Sequence, residues 1–217
     1  MKRNCLYHVL FALLMTLALC LAAPAGFAQP NPADANWDDR FGAQGVSDFV
    51  SAIAVIGSNV YVGGDFSAAS GLGTNVGSIS ANKIARWNGR SWAALGQGVN
   101  NSVAALAVIA TNLYVGGTFT NAGGVAASRI AKWDGNGWSS LGTGLNGAVT
   151  ALAVNGSDLY VGGDFTTAGG VPANHIAKWD GSTWSAVGSN LLTSVNVGCL
   201  AAAGGNLFVG GSISLLK

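Results

Sequence analysis

Charge is scarce in this chain. Lys, Arg, Asp and Glu together make up 9% of its 217 residues, all nine acids are aspartates, and the formal net charge is +1. Soluble domains usually carry about 25% charged residues. No basic stripe or cluster stands out, so the electrostatic footprint of a nucleic-acid partner is missing. Histidine occurs twice (His8 and His175), cysteine three times (Cys5, Cys20 and Cys199) and proline four times. That poverty excludes a histidine-rich metal centre and a disulfide-stapled scaffold. No stretch has a helical apolar period, which excludes a bundle.

The N-terminus explains part of what remains. Lys2 and Arg3 precede an apolar run from Leu6 to Ala23, and Pro24-Ala-Gly-Phe-Ala28 supplies a small-residue exit. This reads as a secretory signal peptide over residues 1–28, followed by a short linker over residues 29–36. The expected location is extracellular or periplasmic, with no stable membrane insertion after cleavage. Cys5 and Cys20 leave with the leader, so Cys199 remains alone. It aligns with Ala105 and Ala151 and reads as an inert, packed thiol.

What the chain does have is repetition. Ile84-Ala-Arg-Trp-Asn-Gly89 returns as Ile130-Ala-Lys-Trp-Asp-Gly135 and Ile176-Ala-Lys-Trp-Asp-Gly181. Trp87, Trp133 and Trp179 stand 46 residues apart, as do Trp92, Trp138 and Trp184. A second signature occurs four times: Val60-Tyr-Val-Gly-Gly64, Leu113-Tyr-Val-Gly-Gly117, Leu159-Tyr-Val-Gly-Gly163 and Leu207-Phe-Val-Gly-Gly211. An insertion, Gly71-Leu-Gly-Thr-Asn-Val-Gly77, stretches the first interval.

One unit reads as four short strands, Val149–Val154, Leu159–Phe165, His175–Trp179 and Thr183–Val187, separated by Gly, Asn, Asp and Ser clusters. Asp180-Gly181 gives the left-handed backbone a tight hairpin needs. Such a sheet has apolar residues on both faces, so neighbouring units must cover it. Radial stacking of four-stranded units at this period is what β-propellers do. The expectation is therefore all-β, a propeller of four-stranded antiparallel blades over residues 37–217, with three full repeats and partial blades at both ends. Trp37-Asp-Asp-Arg-Phe-Gly42 looks like the outer strand of a blade, and Val195–Ala202 with Asn206–Ser212 give two strands of a last one. Either a compact four-bladed ring with a defective closing blade or a piece of a longer propeller fits this count, and the second fits better.

The hydrophobic-Tyr-Val-Gly-Gly strand, followed by an aromatic and then a Trp one hairpin later, resembles a kelch-type (galactose-oxidase-type) repeat. Two departures are a Trp where the family has a Tyr, and a shorter hairpin, Asp180-Gly-Ser-Thr183, between the two aromatics. The resemblance implies a secreted propeller. The copper site of the oxidases that share it takes several histidines and tyrosines, which a single mature His175 cannot supply.

No catalytic residue, metal site or cofactor is expected. His175 occupies a repeat position held by Lys83 and Arg129, so it reads as a basic slot and not as a general base. Asp65 and Asp164 alternate with Thr118 and Ser212, and no calcium loop is present. The tryptophans read as core between blades, against the alternative of a sugar-stacking platform. Loops Ser67–Asn82, Thr120–Ser128 and Thr166–Asn174 should gather on one rim, the usual binding surface of a repeat protein. Thr120, Asn121, Arg129, Thr166, Thr167, Asn174 and His175 are the candidate contacts. The expected function is a non-catalytic interaction module for protein or glycan. The alternatives are a fragment of a larger secreted oxidase or hydrolase with its catalytic residues elsewhere, and a remnant without activity of its own.

Overall fold

The computed structural model describes residues 45–70, 78–188 and 192–215. The signal peptide, the linker, the Trp37 segment and the insertion at 71–77 lie outside the described residues.

The described chain is all-β, with no helix. The first unit comprises Val50–Ile56 (β1), Asn59–Gly64 (β2), a small ribbon of Ala68–Ser70 (β3) and Ser78–Ser80 (β4), then Ile84–Trp87 (β5) and Trp92–Ala94 (β6). The second has Val103–Ile109 (β7), Asn112–Gly117 (β8), the ribbon Asn121–Ala122 (β9) and Val125–Ala126 (β10), Ile130–Trp133 (β11) and Trp138–Ser140 (β12). The third repeats this with Val149–Asn155 (β13), Asp158–Gly163 (β14), Thr167–Ala168 (β15), Val171–Pro172 (β16), Ile176–Trp179 (β17) and Trp184–Ala186 (β18). A last hairpin pairs Leu192–Ala203 (β19) with Asn206–Leu215 (β20).

Each full unit is an antiparallel meander of four strands, β1-β2-β5-β6, β7-β8-β11-β12 and β13-β14-β17-β18. The hairpins form where the sequence places them. Gly89, Gly135 and Gly181 take φ of 90°, 103° and 103° between the two tryptophan strands. The preceding Asn88, Asp134 and Asp180 accept backbone N–H bonds from two and three residues ahead. This is the side-chain-made turn that such residues favour.

The segments read as long loops between the second and third strands are not plain loops. Each holds a two-stranded ribbon of its own. Gly123-Gly124 and Gly169-Gly170 turn these ribbons with φ of 58°, 91°, 59° and 84°. The strands are two residues long in the second and third units, too short for any alternating apolar pattern to announce them. His175 likewise does not begin a strand: it sits at φ 65°, one residue before β17.

Units stack through their first strands, β1 against β7, β7 against β13 and β13 against β19. The packing is knob into slot. A Cβ placed on Gly63, Gly116 or Gly162 would come within 2.5, 2.4 or 2.5 Å of Cγ1 of Val103, Val149 or Val197 in the next unit. A β-bulge after each of these valines shifts the register. Leu106, Leu152 and Leu200 therefore reach the same glycines from three residues on.

Within the units, Phe66, Phe119 and Phe165 are fully buried, two residues after the double glycine. Each ring caps the end of a unit's second strand, beside buried Ala69, Ala122 or Ala168 of the ribbon. Truncating such a ring leaves a cavity that rigid flanking strands cannot fill. Phe119→Ala is expected to lower unfolding free energy by about 3–5 kcal/mol, measured by urea denaturation. A loss below about 1 kcal/mol, the scale of an exposed-site change, would show that this position is not core.

Candidate functional site

At the two junctions among the three full units, the connection leaving one unit's last strand crosses the rim and joins the next unit's ribbon. Val99 bridges to Ala122 and Leu145 to Ala168. The connection is fixed on its other side too, since Val99 N donates to Asn82 O at 3.1 Å and Leu145 N to Ser128 O at 3.0 Å. Between the first and second units this leaves an open groove of about 330 Å³, lined by Asn82, Lys83, Gln97, Gly98, Val99, Asn100 and Asn121. A repeat later the same positions are Ser128, Arg129, Thr143, Gly144, Leu145, Asn146 and Thr167.

The candidate residues fall on this rim, and the structure gives most of them a local partner. Asn100 organises one side of the groove. Its Oδ1 accepts from Thr120 N (2.8 Å) and Asn121 N (3.0 Å), and its Nδ2 donates to Thr120 Oγ1 at 3.0 Å. Asn146 repeats this with Thr166 N, Thr167 N and Thr166 Oγ1. Thr120, Asn121, Thr166 and Thr167 thus hold ribbon to connection. Asn100 and Asn146, which the sequence reading passed over, are the residues that do the holding. Their signal was present in Val99-Asn100 and Leu145-Asn146, an apolar-amide pair at the repeat spacing.

Lys83, Arg129 and His175 form one structural class. All three have left-handed backbone, φ 65°, 67° and 65°, uncommon for residues with a Cβ. Each main chain is clamped: Lys83 N, Arg129 N and His175 N donate to Phe66 O, Phe119 O and Phe165 O at 2.8, 2.8 and 2.9 Å. Their carbonyls accept from Gly64, Gly117 and Gly163 N–H. Their side chains bond back to the same unit: Lys83 Nζ to Asp65 O at 2.7 Å, and Arg129 Nη1 to Thr118 O. His175 Nδ1 lies 2.9 Å from Gly163 O. A carbonyl only accepts, so Nδ1 carries the proton. The basic slot read from the sequence is therefore a carbonyl cap at a strained turn. Asn174 is exposed beside it, at the position of Asn82 and Ser128.

The six described tryptophans pack in pairs. The pairs Trp87–Trp92, Trp133–Trp138 and Trp179–Trp184 lie tilted with centroids 5.4, 5.3 and 5.2 Å apart. Trp138 Nε1 donates to Leu95 O and Trp184 Nε1 to Leu141 O, each at 2.8 Å across a junction. Trp133, Trp179 and Trp184 are buried. Among the described residues, no tryptophan lines the groove.

Cys199 departs from expectation. Its sulfur is disulfide-bonded, where removal of Cys5 and Cys20 with the leader had left no internal partner. Those two cysteines lie outside the described residues. Among the described residues, no three His, Cys, Asp or Glu side chains gather to hold a metal.

No family model and no curated protein matches this chain. Among solved structures it is similar to the crystal structure of the computationally designed Ika4 protein, at 17% identity and TM-score 0.51, over 79% of this chain and 92% of that one. The computationally designed Ika8 protein aligns at 19% identity and TM-score 0.45 over 78% of this chain, which spans 44% of that protein. The Ika4 likeness bears on the fold, the repeated all-β unit, and on nothing chemical.

The turn carboxylates generate a pH expectation. Asp180 is held well below the usual carboxylate range, first by the Thr183 hydroxyl and N–H, then by the Ser182 N–H and hydroxyl. Asp134 is lowered by the Asn136 and Gly137 N–H groups. A carboxyl with a depressed folded pKa adds stability that is present above its unfolded value, 3.8, and lost as pH falls through the folded one. Asp180→Asn, which copies Asn88 but cannot accept the Thr183 hydroxyl on its second side-chain atom, should lower the neutral-pH melting temperature less than Asp180→Ala and shrink the loss of stability on acidification below that value. Asp180→Ala should lower the melting temperature at neutral pH. Identical acid profiles for wild type and Asp180→Asn would refute the assignment.

Proposed function

We propose that this chain is a non-catalytic, secreted interaction module, a kelch-like β-propeller that binds a ligand on the rim formed by its inter-unit connections. The observation that carries the reading is the groove itself. It sits at a junction, it is lined by four amide side chains and a lysine, and its backbone framework recurs at the next junction. Such a lining is more polar than apolar. It suits a hydroxyl-rich ligand better than an apolar protein surface, so a glycan is the favoured ligand and a polar protein surface the second.

One further observation bears on this reading: the carboxylates of Asp134 and Asp180 are taken up in hairpin turns, and that of Asp65 by the Ser102 hydroxyl.

The test is a glycan array probed with the purified chain and with Gln97→Ala, which removes an exposed groove side chain while its main-chain carbonyl still accepts from Asn82 Nδ2. Wild type is expected to give saturable binding, and Gln97→Ala to weaken it by roughly tenfold, a loss of about 1.4 kcal/mol, with an unchanged melt. Binding that ignores Gln97→Ala and a matching Thr143→Ala change at the next junction would remove the rim from the account.

A further inference from the structure

Four Asn-Gly pairs occur in the chain: Asn88-Gly89, Asn136-Gly137, Asn146-Gly147 and Asn155-Gly156. An asparagine followed by glycine carries its own reaction. The glycine nitrogen can attack the side-chain carbonyl carbon, because no Cβ on the glycine blocks the approach. The local fold decides how freely the two atoms meet, and it treats the four pairs differently.

In three pairs a reacting group is tied down. Asn88 Oδ1 accepts from Arg90 N at 2.9 Å and Ser91 N at 2.8 Å, which fixes the amide plane in its hairpin turn. Asn146 is held at both ends of its amide, Oδ1 by Thr166 N and Thr167 N and Nδ2 by Thr166 Oγ1. Beside Asn136 it is the attacking atom that is spent, since Gly137 N donates to Asp134 Oδ1 at 2.8 Å.

Asn155 has none of these ties. It ends β13 at the two-residue loop Gly156-Ser157, paired with Asp158. Asn155 is half-buried and both loop residues are exposed. Among the described residues, neither its side-chain amide nor Gly156 N has a hydrogen-bond partner. The equivalent hairpins place Ile56, Ile109 and Ala203 here, so the turn does not need an amide at this position.

We propose that Asn155 is a self-modification site, where the chain converts its own asparagine to aspartate and isoaspartate through a cyclic imide with Gly156. Hydroxide removes the Gly156 N–H proton, the N–Cγ bond forms, and Nδ2 departs as ammonia after taking a proton from water. A second water opens the ring. Breaking the new N–Cγ bond leaves aspartate on an unchanged backbone. Breaking the bond from the nitrogen to the main-chain carbonyl carbon leaves isoaspartate, with one extra methylene in the chain at the end of β13. The net change is one water consumed and one ammonia released, with no oxidant or reductant. Like charges placed opposite each other destabilise a ladder, but Asp158 already holds Lys178 Nζ at 3.1 Å, and that ammonium offsets the repulsion the aspartate product brings.

The test is peptide mapping by fragmentation mass spectrometry on the folded full chain held at mildly alkaline pH, with heavy-oxygen water marking each imide that opens. Asn155 is expected to convert at least roughly fivefold faster than Asn88, Asn136 or Asn146, the rate equivalent of about 1 kcal/mol of restraint. In urea the ties are gone and the four rates should draw together. Gly156→Ala copies Ala110, which takes φ 54° in the second unit. It should keep the melt and slow conversion at Asn155 by roughly tenfold or more, a barrier increase of about 1.4 kcal/mol, because its Cβ crowds the attack. Any of the other three pairs keeping pace with Asn155 in the folded chain, a ranking that survives urea unchanged, or conversion indifferent to Gly156→Ala would each overturn the proposal.

Discussion

A valine methyl resting on the bare Cα of a glycine in the preceding unit is the contact on which the rest of this structure depends. It recurs at Gly63–Val103, Gly116–Val149 and Gly162–Val197. Because it leaves no room for a side chain on the glycine, it fixes how close adjacent first strands come. The bulge after each valine then places a leucine on the same glycine. Everything further out is set by that approach. Trp138 and Trp184 reach the carbonyls of Leu95 and Leu141 only at this separation, and the connection through Val99 or Leu145 can bridge ribbon to neighbour.

The scarcity of charge becomes intelligible on this arrangement. A unit covered by neighbours on both faces has little surface for charged groups, and the polar residues it keeps serve the backbone. Asn88, Asp134 and Asp180 build hairpins, Asn100 and Asn146 tie ribbons to connections, and Lys83, Arg129 and His175 cap carbonyls at strained turns. At the first junction, amide side chains from two units face one another across the groove. The width of that groove depends on the stacking distance as much as on the residues that line it.

Much of the fold was legible because it is repeated. The tryptophan register gave the unit length, and the four-strand meander followed from glycine and aspartate punctuation that matches the observed turns at Gly135 and Gly181. The ribbons were not legible, because two-residue strands carry no period and are held by Asn100 and Asn146 from outside their own segment. His175 was placed in a strand because β17 follows at once, and its left-handed φ leaves no compositional mark in a histidine. Most of the individual residues named on the rim prove to be busy with internal bonds. Gln97 had no repeat signature to draw notice, since it becomes Thr143 in the next unit, whereas Asn100 recurs as Asn146 and its signal went unread.

The most direct test of the central contact is a double-mutant cycle on Gly116 and Val149, followed by urea denaturation. Gly116→Ala sets a Cβ about 2.4 Å from Val149 Cγ1, and overpacking of that kind costs about 1–3 kcal/mol. With Val149→Ala in the background the clash is relieved, so the Gly116→Ala penalty should shrink and the pair should couple by on the order of 1 kcal/mol. Costs that simply add, to within roughly 0.5 kcal/mol, would contradict the account and leave the spacing of the units to some other contact.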